Sequence, residues 1–117
     1  MEQADPSPRA QLLAYLTASF APPIADPDLL ATWLAFWSLT RTDPAIAAVH
    51  TDIYRSYRGG LETLIIQLRP GTDPRLTAVA LTALVDGLWL ELSLGNAPFS
   101  AEEAAALAEK WLDALLP

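Results

Sequence analysis

Apolar side chains along this chain recur at steps of three and four, the period of an α-helix, in segments separated by proline and glycine. Leu30, Trp33, Phe36, Trp37 and Thr40 share one stripe of the second segment, which is rich in aromatic rings. In the third, Ile46, Val49, Ile53, Tyr57, Leu61, Leu64 and Leu68 lie on one side, and Arg55, Arg58 and Glu62 are placed away from it. In the last, Ala104, Leu107, Ala108, Trp111 and Leu115 are predicted inward, with Glu102, Glu109, Lys110 and Asp113 elsewhere. The fourth segment differs, because it has two apolar arcs. Ala78, Leu81, Val85, Leu88 and Leu92 form one; Leu76, Val79, Ala80, Ala83, Leu84, Gly87, Leu90 and Leu94 form the other. Thr82, Asp86 and Ser93 separate them on one side, Thr77 and Glu91 on the other. A helix apolar on two sides needs two covers. One is the chain's own core; a second copy of the chain is the expected other.

Helix ends follow from the punctuation. Asp-Pro recurs at 26–27, 43–44 and 73–74, and Ser7-Pro8 precedes the first segment. The Asp or Ser side chain caps a free amide, and Pro at the first helical position lacks only an N–H that has no partner there. Ser100 with Glu103 forms a capping box. Stops are read at Ala21-Pro22-Pro23, Arg41-Thr42, Pro70-Gly71 and Gly95-Asn96. The pattern predicts helices over 8–20, 27–40, 44–69, 74–94 and 101–116, with Gly59-Gly60 inside the third as a kink, a close helix crossing or a tolerated surface pair. The unequal Asp-Pro spacing excludes a solenoid period.

Composition supports an all-α domain: Leu and Ala supply 42 of 117 residues, Val and Ile only 8. A chain of this length is one domain's worth, so 1–117 is read as a single unit. The net charge of −7 disfavours nucleic-acid binding by the chain alone, since that binding rests on Lys and Arg neutralising phosphates. No Cys is present for a disulfide or thiolate site. The start has no basic segment leading into an apolar one, and Pro22-Pro23 interrupts the longest uncharged stretch, 10–25. A cytoplasmic protein without membrane contact is expected.

Chemistry-bearing groups are sparse. His50 is the only histidine and has no neighbours at ligand spacing, so it reads as a core-edge residue; no metal and no cofactor are expected. No activated nucleophile or phosphate loop is visible, and no enzyme is expected. The aromatic set is more informative. Trp33, Phe36, Trp37, Tyr54, Tyr57 and Trp89 either fill the core or line an apolar cavity with Asp86, His50 or Thr82 as orienting groups. A carboxylate on so apolar a helix needs a donor or a wet cavity.

These residues also carry a resemblance. Trp33-Leu34-Ala35-Phe36-Trp37, then Tyr54-Arg55, then Ala83-Leu84-Val85-Asp86-Gly87-Leu88-Trp89-Leu90 are similar in order and spacing to the C-terminal domain of TetR-family transcriptional repressors, and most similar to the BetI type, the choline-responsive repressors of betaine synthesis genes. The likeness runs from about Gln11 to Pro117. It departs at Glu91, where BetI-type proteins usually have Arg, and at Gly59-Gly60.

The resemblance implies a five-helix effector-binding domain whose last two helices pair across a two-fold as a four-helix bundle. It implies a homodimer, a cationic or apolar small-molecule effector, and control of DNA binding by a ligand-induced shift. It also implies that the family's N-terminal helix-turn-helix head is absent here. The expected ligand residues are Trp33, Phe36, Trp37, His50, Tyr54, Tyr57, Asp86 and Trp89. The expected dimer residues are Ala80, Ala83, Leu84 and Gly87, with Ala105 and Leu112 from the outer side of the fifth helix. A dimeric interaction module with no small ligand is the alternative, and cavity volume separates the two: a lined void of a few hundred Å³ supports a receptor.

Overall fold

The computed structural model describes residues 7–21 and 27–117. Helix α1 spans Pro8–Thr17 and tightens into a 3-10 turn at Ala18–Phe20, so the predicted first helix ends in a change of winding. Then come α2 Pro27–Leu39, α3 Pro44–Leu68, α4 Pro74–Leu94 and α5 Ala101–Leu115, an all-α arrangement. The caps sit where the sequence places them. Ser7 Oγ accepts from the Ala10 amide at 3.1 Å, and Asp43 from those of Ala45 and Ile46. Asp73 accepts from Arg75 N, and Ser100 and Glu103 exchange both bonds of the capping box. Gly95 closes α4 at φ +89°, a left-handed conformation that Gly adopts without a Cβ penalty. The Asp26 cap and the Pro22-Pro23 stop lie outside the described residues.

Helix α1 packs against α3, α4 and α5, and α2 lies across α3 and α4. The core joins Leu12 and Leu16 of α1, Leu61 and Ile65 of α3, Leu81 and Val85 of α4, and Ala108 and Leu112 of α5. The first arc of α4 is the buried one; Thr82 beside it is buried too and gives its hydroxyl to the Ala78 carbonyl at 2.7 Å. By length and composition α4 could cross a membrane, a property the uncharged-stretch reading did not register. In this fold its first arc is occupied by the core.

Two faces turn differently from the periodicity reading. In α3, Val49 and Ile53 are 50% and 41% exposed, whereas Ile65 is fully buried and Arg58 half-buried. In α5, Leu112 is 1% exposed and Trp111 48%, so Leu112 is a core residue and not part of an outer surface. The small Ala104 and Ala108 explain the rotation. They form the buried row with Leu112 and let α5 sit close to α1 and α4, which leaves the bulkier Leu107 and Trp111 outside. Ala105 lies on a flank with Thr17, Phe20 and Leu92, away from the outer arc of α4.

The two central glycines have different surroundings. A Cβ on Gly59 would meet nothing within 4 Å, but one on Gly60 would lie 2.5 Å from Tyr15 Oη and about 3 Å from two ring carbons. Tyr15 is fixed there, since its hydroxyl donates to the Tyr57 carbonyl at 3.0 Å and its ring packs on Tyr57 at 4.9 Å. Gly60 therefore serves the α1–α3 crossing. Gly59→Ala is expected to raise stability by about 1 kcal/mol through helix propensity alone. Gly60→Ala is expected to lower it, because the ring must shift and release its hydrogen bond. Urea unfolding of both variants gives the two signs.

Candidate functional site: an aromatic cavity closed by a carboxylate

Three helices and the 3-10 turn meet around a cavity of about 160 Å³, partly open to solvent. Helix α2 contributes Trp33 and Trp37, α3 contributes Ile53, Tyr54 and Tyr57, α4 contributes Asp86 and Trp89, and Ser19 comes from the turn. Helical spacing explains the grouping. Trp33 and Trp37 are one turn apart, as are Ile53 and Tyr57, so each pair presents neighbouring side chains on one face. Trp37 stands edge-on to Trp89 at 6.1 Å and 84°, and tilted to Trp33 at 5.9 Å. A cavity of this size class, roughly 150 Å³, holds one benzene-sized molecule. The occupant must be small.

Asp86 is the charged group of the cavity. Tyr54 Oη donates to its Oδ2 at 2.9 Å. Burial pushes the Asp86 carboxyl above the usual carboxylate range, and Tyr54, Arg58 and His50 partly oppose that rise. Burial, reinforced by the Asp86 charge, pushes the Tyr54 hydroxyl well above its ordinary value, so it stays a donor. Arg58, read from the sequence as facing away, lies over the Tyr54 ring at 5.2 Å. Tyr57 Oη is buried and has no hydrogen-bond partner. A buried hydroxyl without a partner is costly.

Six of the eight expected ligand residues line the cavity: Trp33, Trp37, Tyr54, Tyr57, Asp86 and Trp89. Phe36 and His50 do not. They stack behind it, Phe36 on His50 at 5.9 Å and His50 on Tyr54 at 4.5 Å, and so support a wall. Thr82 spends its hydroxyl on its own helix. Ser19, Ile53 and Arg58 were missed. Ser19 and Ile53 carry no signal in the sequence, whereas the one-turn spacing of Arg58 from Tyr54 could have drawn attention to it. Among the described residues no group of three or more His, Cys, Asp or Glu could hold a metal ion.

A second surface stands apart from the cavity. The second arc of α4 is largely exposed, with Leu76 at 57% and Leu94 at 58%, and Ala80, Ala83 and Gly87 lie open between them. Ala80 and Leu84 form an apolar groove with Trp111 and Leu115 of α5. Exposed apolar surface of this extent is a mark of interaction sites.

Comparison with known proteins agrees with this architecture. Residues 8–117 match the family described as BetI-type transcriptional repressor, C-terminal. The HTH-type transcriptional regulator BetI of Burkholderia thailandensis is 35% identical over 114 residues, covering 97% of this chain and 58% of that protein. BetI of Paraburkholderia phymatum gives the same identity and coverage. A crystal structure described as a transcriptional regulator from Pseudomonas aeruginosa PAO1 superimposes with a TM-score of 0.89 at 38% identity, over 97% of this chain and 57% of that one. The chain thus spans somewhat over half the length of the relatives it matches. With 110 residues matched end to end and the same helical architecture in a solved relative, the chain belongs to the TetR-family transcriptional regulators, as a C-terminal domain of the BetI type.

Proposed function

We propose that this domain receives a small cationic effector in the aromatic cavity and pairs with a second copy through the outer arc of α4 and the adjoining edge of α5. Effector binding biases the arrangement of the pair, and in the intact regulator that bias sets the DNA-binding state. The observation that carries this reading is the joining of Trp33, Trp37 and Trp89 with the Asp86 carboxylate in one small cavity. Ring faces attract a quaternary ammonium, each good contact contributing about 0.5–2 kcal/mol, and the carboxylate adds the opposite charge. At about 160 Å³ the cavity is smaller than the few hundred Å³ expected of a receptor, so it suits a choline-sized ligand and no larger one.

Calorimetry with choline tests it. The wild type is expected to bind. Trp37→Ala is expected to lose about 0.5–2 kcal/mol. Asp86→Asn keeps an acceptor for Tyr54 and loses only the charge, so a weakened variant isolates the electrostatic part. Affinity should also fall as the pH drops through the raised Asp86 range, where the carboxylate takes up a proton. No binding by the wild type up to millimolar choline would remove the cationic reading.

A further inference from the structure

The chain has a net charge of −7, yet its cations are unevenly placed. Three of its six arginines, Arg55, Arg58 and Arg75, line one groove of about 530 Å³ between α3 and the first turns of α4. His50 and Thr51 lie along it, and Glu62 is its one carboxylate. Residues 51, 55, 58, 59 and 62 follow at helical spacing, so the groove is built on a continuous face of α3.

These guanidiniums are poorly compensated compared with others in the chain. Arg9 is clamped by Glu109 at 2.9 Å and Asp113 at 2.8 Å, and Arg69 donates to the Pro117 carbonyl. In the groove, Arg55 reaches Asp52 only at 3.7 Å, both side chains being three-quarters exposed. Arg58 rests on the Tyr54 ring, and its buried Nε has no hydrogen-bond partner. Neither Arg58, Arg75 nor Glu62 forms an ion pair among the described residues. Arg75 is also a cation in the first turn of a helix, where the positive end of the dipole disfavours it. Three like charges beside a helix N-terminus repel one another, and a bound anion relieves that repulsion.

We propose that this groove binds a phosphate-bearing small molecule at a site separate from the aromatic cavity. Guanidinium forks match the paired oxygens of a phosphate, and three of them suit an anion with more than one charge. Thr51 supplies a neutral donor on the same face. The groove and the cavity share the Tyr54 side chain as a wall, and Arg58 of the groove also acts on the Asp86 carboxylate of the cavity.

The test is calorimetric titration of the chain with inorganic pyrophosphate, without choline, at constant ionic strength set by sodium chloride. Saturable binding is expected at one site per chain. Arg58→Gln and Arg75→Gln should each weaken it about tenfold, the loss of one charge-assisted hydrogen bond. Lys110→Gln on α5 should leave it unchanged. Circular dichroism of each variant separates lost binding from lost folding, and Arg55→Gln, at an exposed position, supplies a third variant that need not disturb packing. Heat indistinguishable from added chloride would overturn the proposal, as would an equal loss in Lys110→Gln. Citrate binding as tightly as pyrophosphate would overturn the phosphate assignment. Weakened self-association in Arg75→Gln with no pyrophosphate binding in the wild type would assign the groove to contact between copies, and that too would overturn it.

Discussion

Ala83→Glu is expected to convert the proposed dimer into monomers. Ala83 lies at the middle of the exposed arc of α4, between Ala80 and Gly87, where small side chains permit two helices to approach closely. A stable two-fold interface buries on the order of 1,600 Å² in total, and it places the same residue of both copies near the axis. Two glutamates would then face each other in a desolvated contact, and such like-charge juxtaposition costs several kcal/mol. The fold should survive, because the position is exposed and Glu is a good helix former. Sedimentation of wild type and variant decides the matter. A variant that remains dimeric places the interface on another face.

Leu112→Ala is expected to have the largest effect on stability, a loss of about 2–5 kcal/mol, without acting through the proposed dimer surface. Leu112 is sealed in the core between α5 and its neighbours, and alanine there leaves a cavity. Its neighbour Trp111 is about half exposed, so Trp111→Ala should cost less stability and weaken self-association more. Denaturant unfolding at several protein concentrations separates the two. A near-neutral Leu112→Ala would mean that α5 is seated on a different face.

That contrast shows where sequence reading reaches its limit. The helix ends were legible because Asp-Pro, Ser-Pro and the Ser100–Glu103 pair act locally, through bonds within a few residues. The double face of α4 was legible because two polar seams bound its arcs. The rotation of α5 was not. Leucines and alanines occur on both of its faces, and the choice of the alanine row depends on how closely α1 approaches, a property of the assembled bundle. The cavity residues on α2 and α4 were readable from aromatic spacing and from a lone carboxylate. Ile53 was read only as one of the aliphatic residues of the α3 core stripe, yet it is partly exposed, and Ser19 reaches the site only because the first helix tightens at its end. Phe36 and His50 had the right chemistry and the right helices, but each spends its ring on another ring.

The contact between Tyr15 and Tyr57 joins two parts of the molecule that otherwise have separate tasks. One side of Tyr57 borders the cavity; its ring and carbonyl hold Tyr15, which in turn rests on Gly60. Packed interiors have little slack, so a displacement at one side of such a stack is passed on and not absorbed. An occupant that moved Tyr57 by a fraction of an ångström would therefore act as a wedge against α1, with Tyr15 already packed close on Gly60. On the proposed function, the tilt of the first helix would in this way follow the contents of a cavity built by the helices after it.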